Sequence, residues 1–410
     1  MNFSSLRLKI TALLFSALVA ACGGNGSPAA PPTGGITVVP GNTQVTVSWL
    51  PEPGVEYWLW YAPGPTVTIS TPGHVSRAKV TSPFVLTGLV NGTTYSFAVN
   101  GRIDGGAGGA LSTSKTTVPR PAGATWTAGG AMGAVDLRGI ALGTASDATV
   151  NFVAMGNAGT IFKGTDGMNW TSVATGPTVD FKATVYTLGQ FMAVGAPSAT
   201  GNIFLSKDIA TWAPATTNPG STQTLNALAS NNTLVVAVGD NGTIQTSIDG
   251  LTWVATTSPT TSHLYGVTYT ASGLWLASGA AGTLLSSPDG KVWTARTSNT
   301  VKDLRAVAAT TPTAGGTLYI AAGLGGALST SPDGITWVNQ TLAGAPDLYA
   351  INAAAIQSLV VGESGAAFTS TDGVTWTALT TGTASNLYAL IGSPTQYIAI
   401  GAAGTNISSK

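Results

Sequence analysis

Beyond residue 30 the apolar positions of this chain fall in short runs broken by Gly, Asn, Asp and Pro, and no long stretch keeps a 3.6-residue period. Runs of that kind predict strands joined by turns. One phrase punctuates them, Ser-x-Asp-Gly-x-x-Trp. It spans Ser247–Trp253, Ser287–Trp293, Ser331–Trp337 and Ser370–Trp376. A copy at Gly164–Trp170 has Gly for Ser, and one at Ser206–Trp212 lacks the Gly. Asp-Gly suits a tight turn because Gly accepts positive φ and Asp bonds its own backbone. The Trp of the next strand then covers the turn. The acid–tryptophan pairs Asp166/Trp170, Asp208/Trp212, Asp249/Trp253, Asp289/Trp293, Asp333/Trp337 and Asp372/Trp376 therefore read as a folding device.

Tryptophans at 126, 170, 212, 253, 293, 337 and 376 step by 39 to 44 residues, a period of propeller blades or solenoid repeats. Each period opens with an apolar residue (Leu137, Phe181, Leu225, Leu264, Leu304, Leu348, Leu387). A Val-Ala-x-Gly strand follows, such as Val236–Gly239, then a Gly-Thr-Ile strand such as Gly242–Ile244, then the Trp strand. The first three strand types occur seven times, and the last copy ends at Ser409 with no Trp strand after it. An orphan Trp strand, Thr125–Thr127, precedes the first full unit. The expectation is an all-β chain with a seven-bladed β-propeller over 122–410, closed by pairing of its N-terminal strand with the last blade.

Residues 34–118 lack the phrase. Strand-like runs lie at 36–39, 44–49, 55–61, 67–70, 84–89, 94–99 and 111–118, which predicts an immunoglobulin-like sandwich. The alternation Val45, Val47, Trp49 points one face inward. Leu86–Leu89 followed by Asn91–Val99 resembles the fibronectin type III pattern. That resemblance implies Trp49 as a core residue, Tyr95 as a corner tyrosine and a spacer or adhesion role. Residues 119–121, Pro-Arg-Pro, form a hinge.

Arg7 and Lys9 precede an apolar run, Ile10–Ala20, too short for a permanent span. It ends Leu18-Val-Ala-Ala-Cys22-Gly23, which resembles the lipobox of bacterial lipoproteins. The resemblance implies a signal peptide at 1–21, lipidation of Cys22 and, from Gly23, forwarding to the outer membrane. Residues 22–33 then read as the lipidated Cys and a flexible tether. Cys22 is the sole cysteine, so the chain forms no internal disulfide.

Charged residues make up 8% of the chain, and residues 122–410 hold 13 acids against 9 bases. That gives no electrostatic basis for nucleic-acid binding. His74 and His263 stand apart from each other and from any Cys, so no metal or cofactor site is expected. Outside the turns the acids are Asp136, Asp147, Asp180, Asp240, Asp303, Asp347 and Glu363. Four of them directly precede first strands and read as strand-entry residues, and no catalytic residue is assigned. The repeat resembles that of sialidase- and sortilin-like propellers, but their arginine triad has no match in Arg138, Arg296 and Arg305. Leu304-Arg-Ala-Val307, with the Val-Gly and Ser-x-Asp-Gly-x-x-Trp phrases, resembles the photosystem II assembly and stability factor group. That resemblance implies a propeller that helps assemble a membrane complex.

One ring of positions varies as a binding surface does. It follows the opening residue of each first strand: Arg138, Lys182, Asn226, Tyr265, Arg305, Tyr349 and Tyr388. Tyrosine and arginine there suit a glycan or peptide through stacking and forked hydrogen bonds. Packing between blades is the other reading of these side chains. The expected function is a non-catalytic, lipid-anchored envelope protein that binds or scaffolds a protein or neutral glycan. The alternatives are a glycoside hydrolase or lyase and a purely structural part of a surface assembly.

Overall fold

The computed structural model of the chain describes residues 26–409 except 42, 121–122, 174–175, 220–221, 313–314, 343, 355–356 and 394–395. The expected signal peptide and Cys22 lie outside the described residues. Among those residues no helix is long and apolar enough to cross a membrane. The chain divides after Arg120 into two compact units.

In the first unit, a three-stranded sheet (Ile36–Gly41, Gln44–Trp49, Phe84–Thr87) faces a five-stranded one built on Val55–Pro63 and Tyr95–Ile103. Val45, Val47 and Trp49 turn inward as alternation requires. They meet Tyr57, Leu59, Phe97 and Val99 in one core. Burying each such side chain is worth about 1.5–3 kcal/mol, enough to hold the sheets together without a crosslink. The Tyr95 hydroxyl accepts a hydrogen bond from the Val90 N–H (3.3 Å).

Two expectations for this unit shift. The segment 67–70 is a turn, and the strand lies further on at Val75–Val80. Thr71 Oγ1 takes the Thr68 N–H (2.8 Å), a local bond that competes with a ladder. Ser27–Ala29, inside the segment read as tether, pairs with Gly101–Ile103. The Gly-rich loop permits this approach: a Cβ on Gly109 would stand 1.8 Å from the Ala29 carbonyl oxygen.

The second unit holds seven four-stranded antiparallel sheets. The first is Leu137–Thr144, Val150–Gly156, Ile161–Gly164 and Thr171–Ser172, and each of the next five follows the same order. The seventh is Leu387–Ser393, Gln396–Gly401, Asn406–Ser409 and Trp126–Ala128. Second strands such as Gln190–Gly195 are buried along their length. Neighbouring sheets meet through side chains. Met155 of the first packs with Phe181 and Phe191 of the second, and Ile398 and Ile400 of the last pack with Leu137 and Ala154 of the first.

The expectation of a closed propeller is corrected here. Strand ladders stop at the limits of each four-stranded sheet, so none of them closes into a true propeller or barrel. Trp126–Ala128 does pair with Ile407–Ser409, and what that pairing completes is a single sheet. The outer strands are short, two residues at Thr171–Ser172 and three at Val254–Thr256, and each keeps one edge outside any ladder. The architecture is a propeller-like series of separate antiparallel sheets, related to one another by packing.

The recurring phrase forms the turn between third and fourth strands. In the copy at 247–253, Ser247 Oγ donates to Asp249 Oδ1 (2.9 Å) and accepts the Gly250 N–H (2.8 Å). Asp249 Oδ1 also accepts the Leu251 and Thr252 N–H groups (2.8 Å each). The Trp253 indole donates to the Gly250 carbonyl (2.7 Å), with Gly250 at φ 77°. The copies at Asp289, Asp333 and Asp372 repeat the carboxylate pattern. In the degenerate copy Ile209 takes the left-handed conformation (φ 68°) where Gly is usual.

Candidate functional site

Each first strand begins with a fully buried apolar side chain, from Leu137 and Phe181 through to Leu387. The ladder then slips by one residue. In all seven sheets the register shifts between that residue and the second one after it, as between Leu137 and Gly139 or Leu387 and Ala389. The residue between them has no ladder partner, and a bulge re-aims its side chain. Those seven residues are Arg138, Lys182, Asn226, Tyr265, Arg305, Tyr349 and Tyr388, and together they line one cavity of about 370 Å³. The structure thus brings all seven sequence-predicted rim residues to one place.

The residue before the buried side chain has a separate task. Asp180 Oδ1 accepts the Ala158 N–H (2.8 Å), from the tight turn of the preceding sheet. Asp303 takes the Ala281 N–H (3.0 Å) and Asp347 the Gly325 N–H (2.7 Å). Asp136 takes the Ala403 N–H (3.2 Å), reaching from the first sheet to the last. Asn386 does the same for Ser364 (2.9 Å). The donors Ala158, Ala281, Ser364 and Ala403 all sit at positive φ, the middle of a turn that cannot bond them internally. These acids are latches between sheets, which accounts for their place at the strand entries.

Two latches also set the cavity wall. The second oxygen of Asp136 pairs with Arg138 (3.0 Å), and that of Asp303 with Arg305 (3.1 Å). Arg138 then lies over the Tyr388 ring at 4.2 Å and Arg305 over Tyr265 at 4.0 Å. Tyr349 and Tyr388 stand 5.4 Å apart. Asn226 donates to Asp240 (2.9 Å) and to the Leu264 carbonyl (3.0 Å). Burial, with Arg138 nearby, pushes the half-buried Lys182 amine down. Burial pushes the Tyr265 and Tyr349 phenols up, so both are hydrogen-bond donors at neutral pH. The arrangement presents aromatic edges, guanidinium donors, one amine and one amide to a ligand.

The remaining candidates lie apart from one another, save His263 and Asp240. His263 pairs with Asp240 (3.0 Å) and stacks beside Tyr265 (centroids 6.4 Å). His74 belongs to the first unit, bonded to the Thr71 carbonyl oxygen (2.8 Å). Asp147 accepts the Thr149 N–H (2.9 Å) and its hydroxyl in an outer turn. The six turn acids stay in their own turns. Among the described residues no three His, Cys, Asp or Glu side chains gather as metal ligands do. The bulges and the latches escaped the sequence reading, although the phrases Asp-Leu-Arg at 136–138 and 303–305 carry the signal.

No protein-family model and no curated protein matches the chain. Solved structures do match. YCF48 bound to D1 peptide is 17% identical with a TM-score of 0.55, over 69% of this chain and 96% of that one. YCF48 from Cyanidioschyzon merolae is 16% identical at 0.55, over 70% and 98%. A streptogramin B lyase is 12% identical at 0.55, over 70% and 96%. At such identities the likeness shows the fold alone, a propeller-like β-sheet repeat.

Proposed function

We propose that this protein is a non-catalytic binding protein of the bacterial cell envelope. It holds a segment of a partner polypeptide at the cavity ringed by the seven bulged residues. The observation that carries the reading is their convergence. Seven separate bulges aim three tyrosines, two arginines, a lysine and an asparagine into one cavity. The strand-entry carboxylates Asp136, Asp180, Asp303 and Asp347 accept backbone N–H groups, which supports recognition over acid–base chemistry. A YCF48 with the same fold was solved with a peptide bound, which supports a peptide ligand. A neutral glycan is the second reading, favoured by the three tyrosine rings.

In this reading lipid on Cys22 anchors the chain, probed by palmitate labelling of the native chain against Cys22→Ser. The fibronectin-like unit at 34–118 is the spacer, and the Ser-x-Asp-Gly-x-x-Trp repeat region from 122 is the recognition part. The decisive experiment is a pull-down from intact envelopes with the lipidated protein and a Tyr265→Ala/Tyr349→Ala/Tyr388→Ala variant of native-like circular dichroism. A defined protein captured by the native chain and lost by the variant is the expected result. Equal capture by both would overturn the assignment to this cavity. Capture of glycan alone on an array would favour the second reading.

A further inference from the structure

Comparing the outer strand of the third sheet with those of the three sheets after it points to a site. The third residue after the turn tryptophan sits on the outer strand and reaches back over the third strand. In the fourth sheet it is Arg296, whose Nε donates to Ser286 Oγ (2.8 Å). In the fifth it is Gln340, whose Nε2 donates to Thr330 Oγ1 (3.3 Å). In the sixth it is Leu379, packed on Leu359 and Tyr397. In the third sheet it is Thr256, too short to cross. A groove of about 850 Å³ lies there instead, between the third sheet and the turn of the fourth. Leu234, Ile248, Val254, Ala255, Val292 and Trp293 line it. Three of these are unusually open for aliphatic side chains: Ile248 at 72%, Val254 at 61% and Val292 at 66%.

The groove runs beside a free strand edge. Val254–Thr256 pairs with Ile244–Thr246 on one side, and among the described residues no strand pairs on the other. Just upstream the same edge already takes an extended segment. Thr217 pairs in parallel with Thr252, the Trp253 N–H donates to the Thr217 carbonyl (3.0 Å), and the Thr216 N–H donates to the Leu251 carbonyl (2.9 Å). The segment then leaves, and the Asn218 side chain bonds Asn202. The mouth of the groove carries one acid, Asp249, and one base, Lys291, so its charge is balanced and favours an uncharged occupant.

We propose that this groove is a second binding site, for an extended, uncharged aliphatic peptide segment of a partner. The segment continues the edge pairing begun at Thr217 as a short added strand on Val254–Thr256. One of its aliphatic side chains fills the space that Leu379 fills in the sixth sheet. Main-chain bonds supply affinity and the groove selects the side chain. The site lies on outer strands, while the seven-residue cavity lies on first strands, so either can fail without the other.

The test is amide hydrogen exchange on the full chain with acetyl-Thr-Leu-Thr-Val-Thr-amide as probe. The expected result is exchange slowed about tenfold at Ala255, whose N–H faces the free edge as that of Trp253 does. The edge Thr294–Arg296, whose groove Arg296 fills, should remain unchanged in the same sample. Thr256→Arg, which copies the filled groove, should abolish the protection. Unchanged exchange at saturating probe, or equal slowing at both edges, would overturn the proposal. So would concentration-dependent self-association abolished by Thr256→Arg without any effect of the probe, since the occupant would then be a second copy of the chain.

Discussion

Removing the Asp136 side chain tests whether the strand-entry acids hold sheet to sheet. Asp136 Oδ1 accepts the Ala403 N–H at 3.2 Å, and Oδ2 pairs with Arg138 at 3.0 Å. A hydrogen bond to a charged acceptor contributes about 1.5–3 kcal/mol when its donor is dry. Ala403 is exposed, so water takes over part of that role and about 1 kcal/mol is the better figure. The Asp136–Arg138 pair is about one-third exposed on each side and adds about 0.5 kcal/mol. Asp136→Ala should therefore lower unfolding free energy by about 1.5 kcal/mol, close to a tenfold change in the folded-to-unfolded ratio. Asp136→Asn keeps the oxygen that accepts from Ala403, as Asn386 does for Ser364, and should cost about 0.5 kcal/mol or less. Urea unfolding of the second unit, followed by tryptophan emission, reads the difference as a shift of midpoint at constant slope. Amide exchange at Ala403 reads the latch itself: faster in the alanine variant, near native in the asparagine one. An asparagine variant as damaged as the alanine variant, or unchanged exchange at Ala403 in both, would refute the latch.

Acid should loosen the repeat unit in a definite window. The Thr336 and Ile335 N–H groups hold the Asp333 carboxyl down at about 2. For Asp372 burial opposes, but the Thr375 and Val374 N–H groups prevail and hold it at about 2. Folded values below the ordinary 3.8 mean stability fully present above about pH 4 and lost as pH falls toward 2. Urea midpoints at pH 5, 3 and 2 should fall in that order, and a flat series would contradict the turn geometry. Tyr397 is fully buried, its phenol pushed up to about 12, and among the described residues its hydroxyl has no hydrogen-bond partner. Tyr397→Phe removes that stranded oxygen and should be neutral or stabilise by up to about 1 kcal/mol, and a clear loss in urea unfolding would mean that the hydroxyl is bonded.

Much of this was legible in the sequence, for identifiable reasons. The turn phrase is local: Ser247, Asp249, Gly250 and Trp253 satisfy one another within seven residues, so spacing alone reports the geometry. The inward alternation of Val45, Val47 and Trp49 is legible for the same reason. The rim positions could be found because a bulge at a fixed place leaves one free residue per repeat, and that residue varies in chemistry beside a buried apolar neighbour that does not. What stayed hidden depends on contacts between repeats. The Asp136–Ala403 latch joins residues 267 apart, and no local pattern reports which turn a carboxylate will reach. The strand Val75–Val80 escaped because most of its residues face solvent and carry no apolar period. The closed ring was inferred from matching strand counts, yet counts specify only that Trp126 completes a sheet.

The bulges separate two demands on the same strand. A first strand must bury its opening residue and pair its later ones, so those positions are fixed by packing. The residue between them neither pairs nor packs in the ladder. It can be Arg, Lys, Asn or Tyr without disturbing the sheet beneath, provided the latch before it holds the turn in place. The arginines show the arrangement most fully, because one carboxylate bonds the preceding sheet through one oxygen and aims the guanidinium through the other. Replacing a rim residue should therefore change what the cavity binds at little cost to folding. Replacing a latch should shift both at once. A set of single rim substitutions that unfold the protein as readily as Asp136→Ala would show that the seven side chains serve packing between sheets and not recognition.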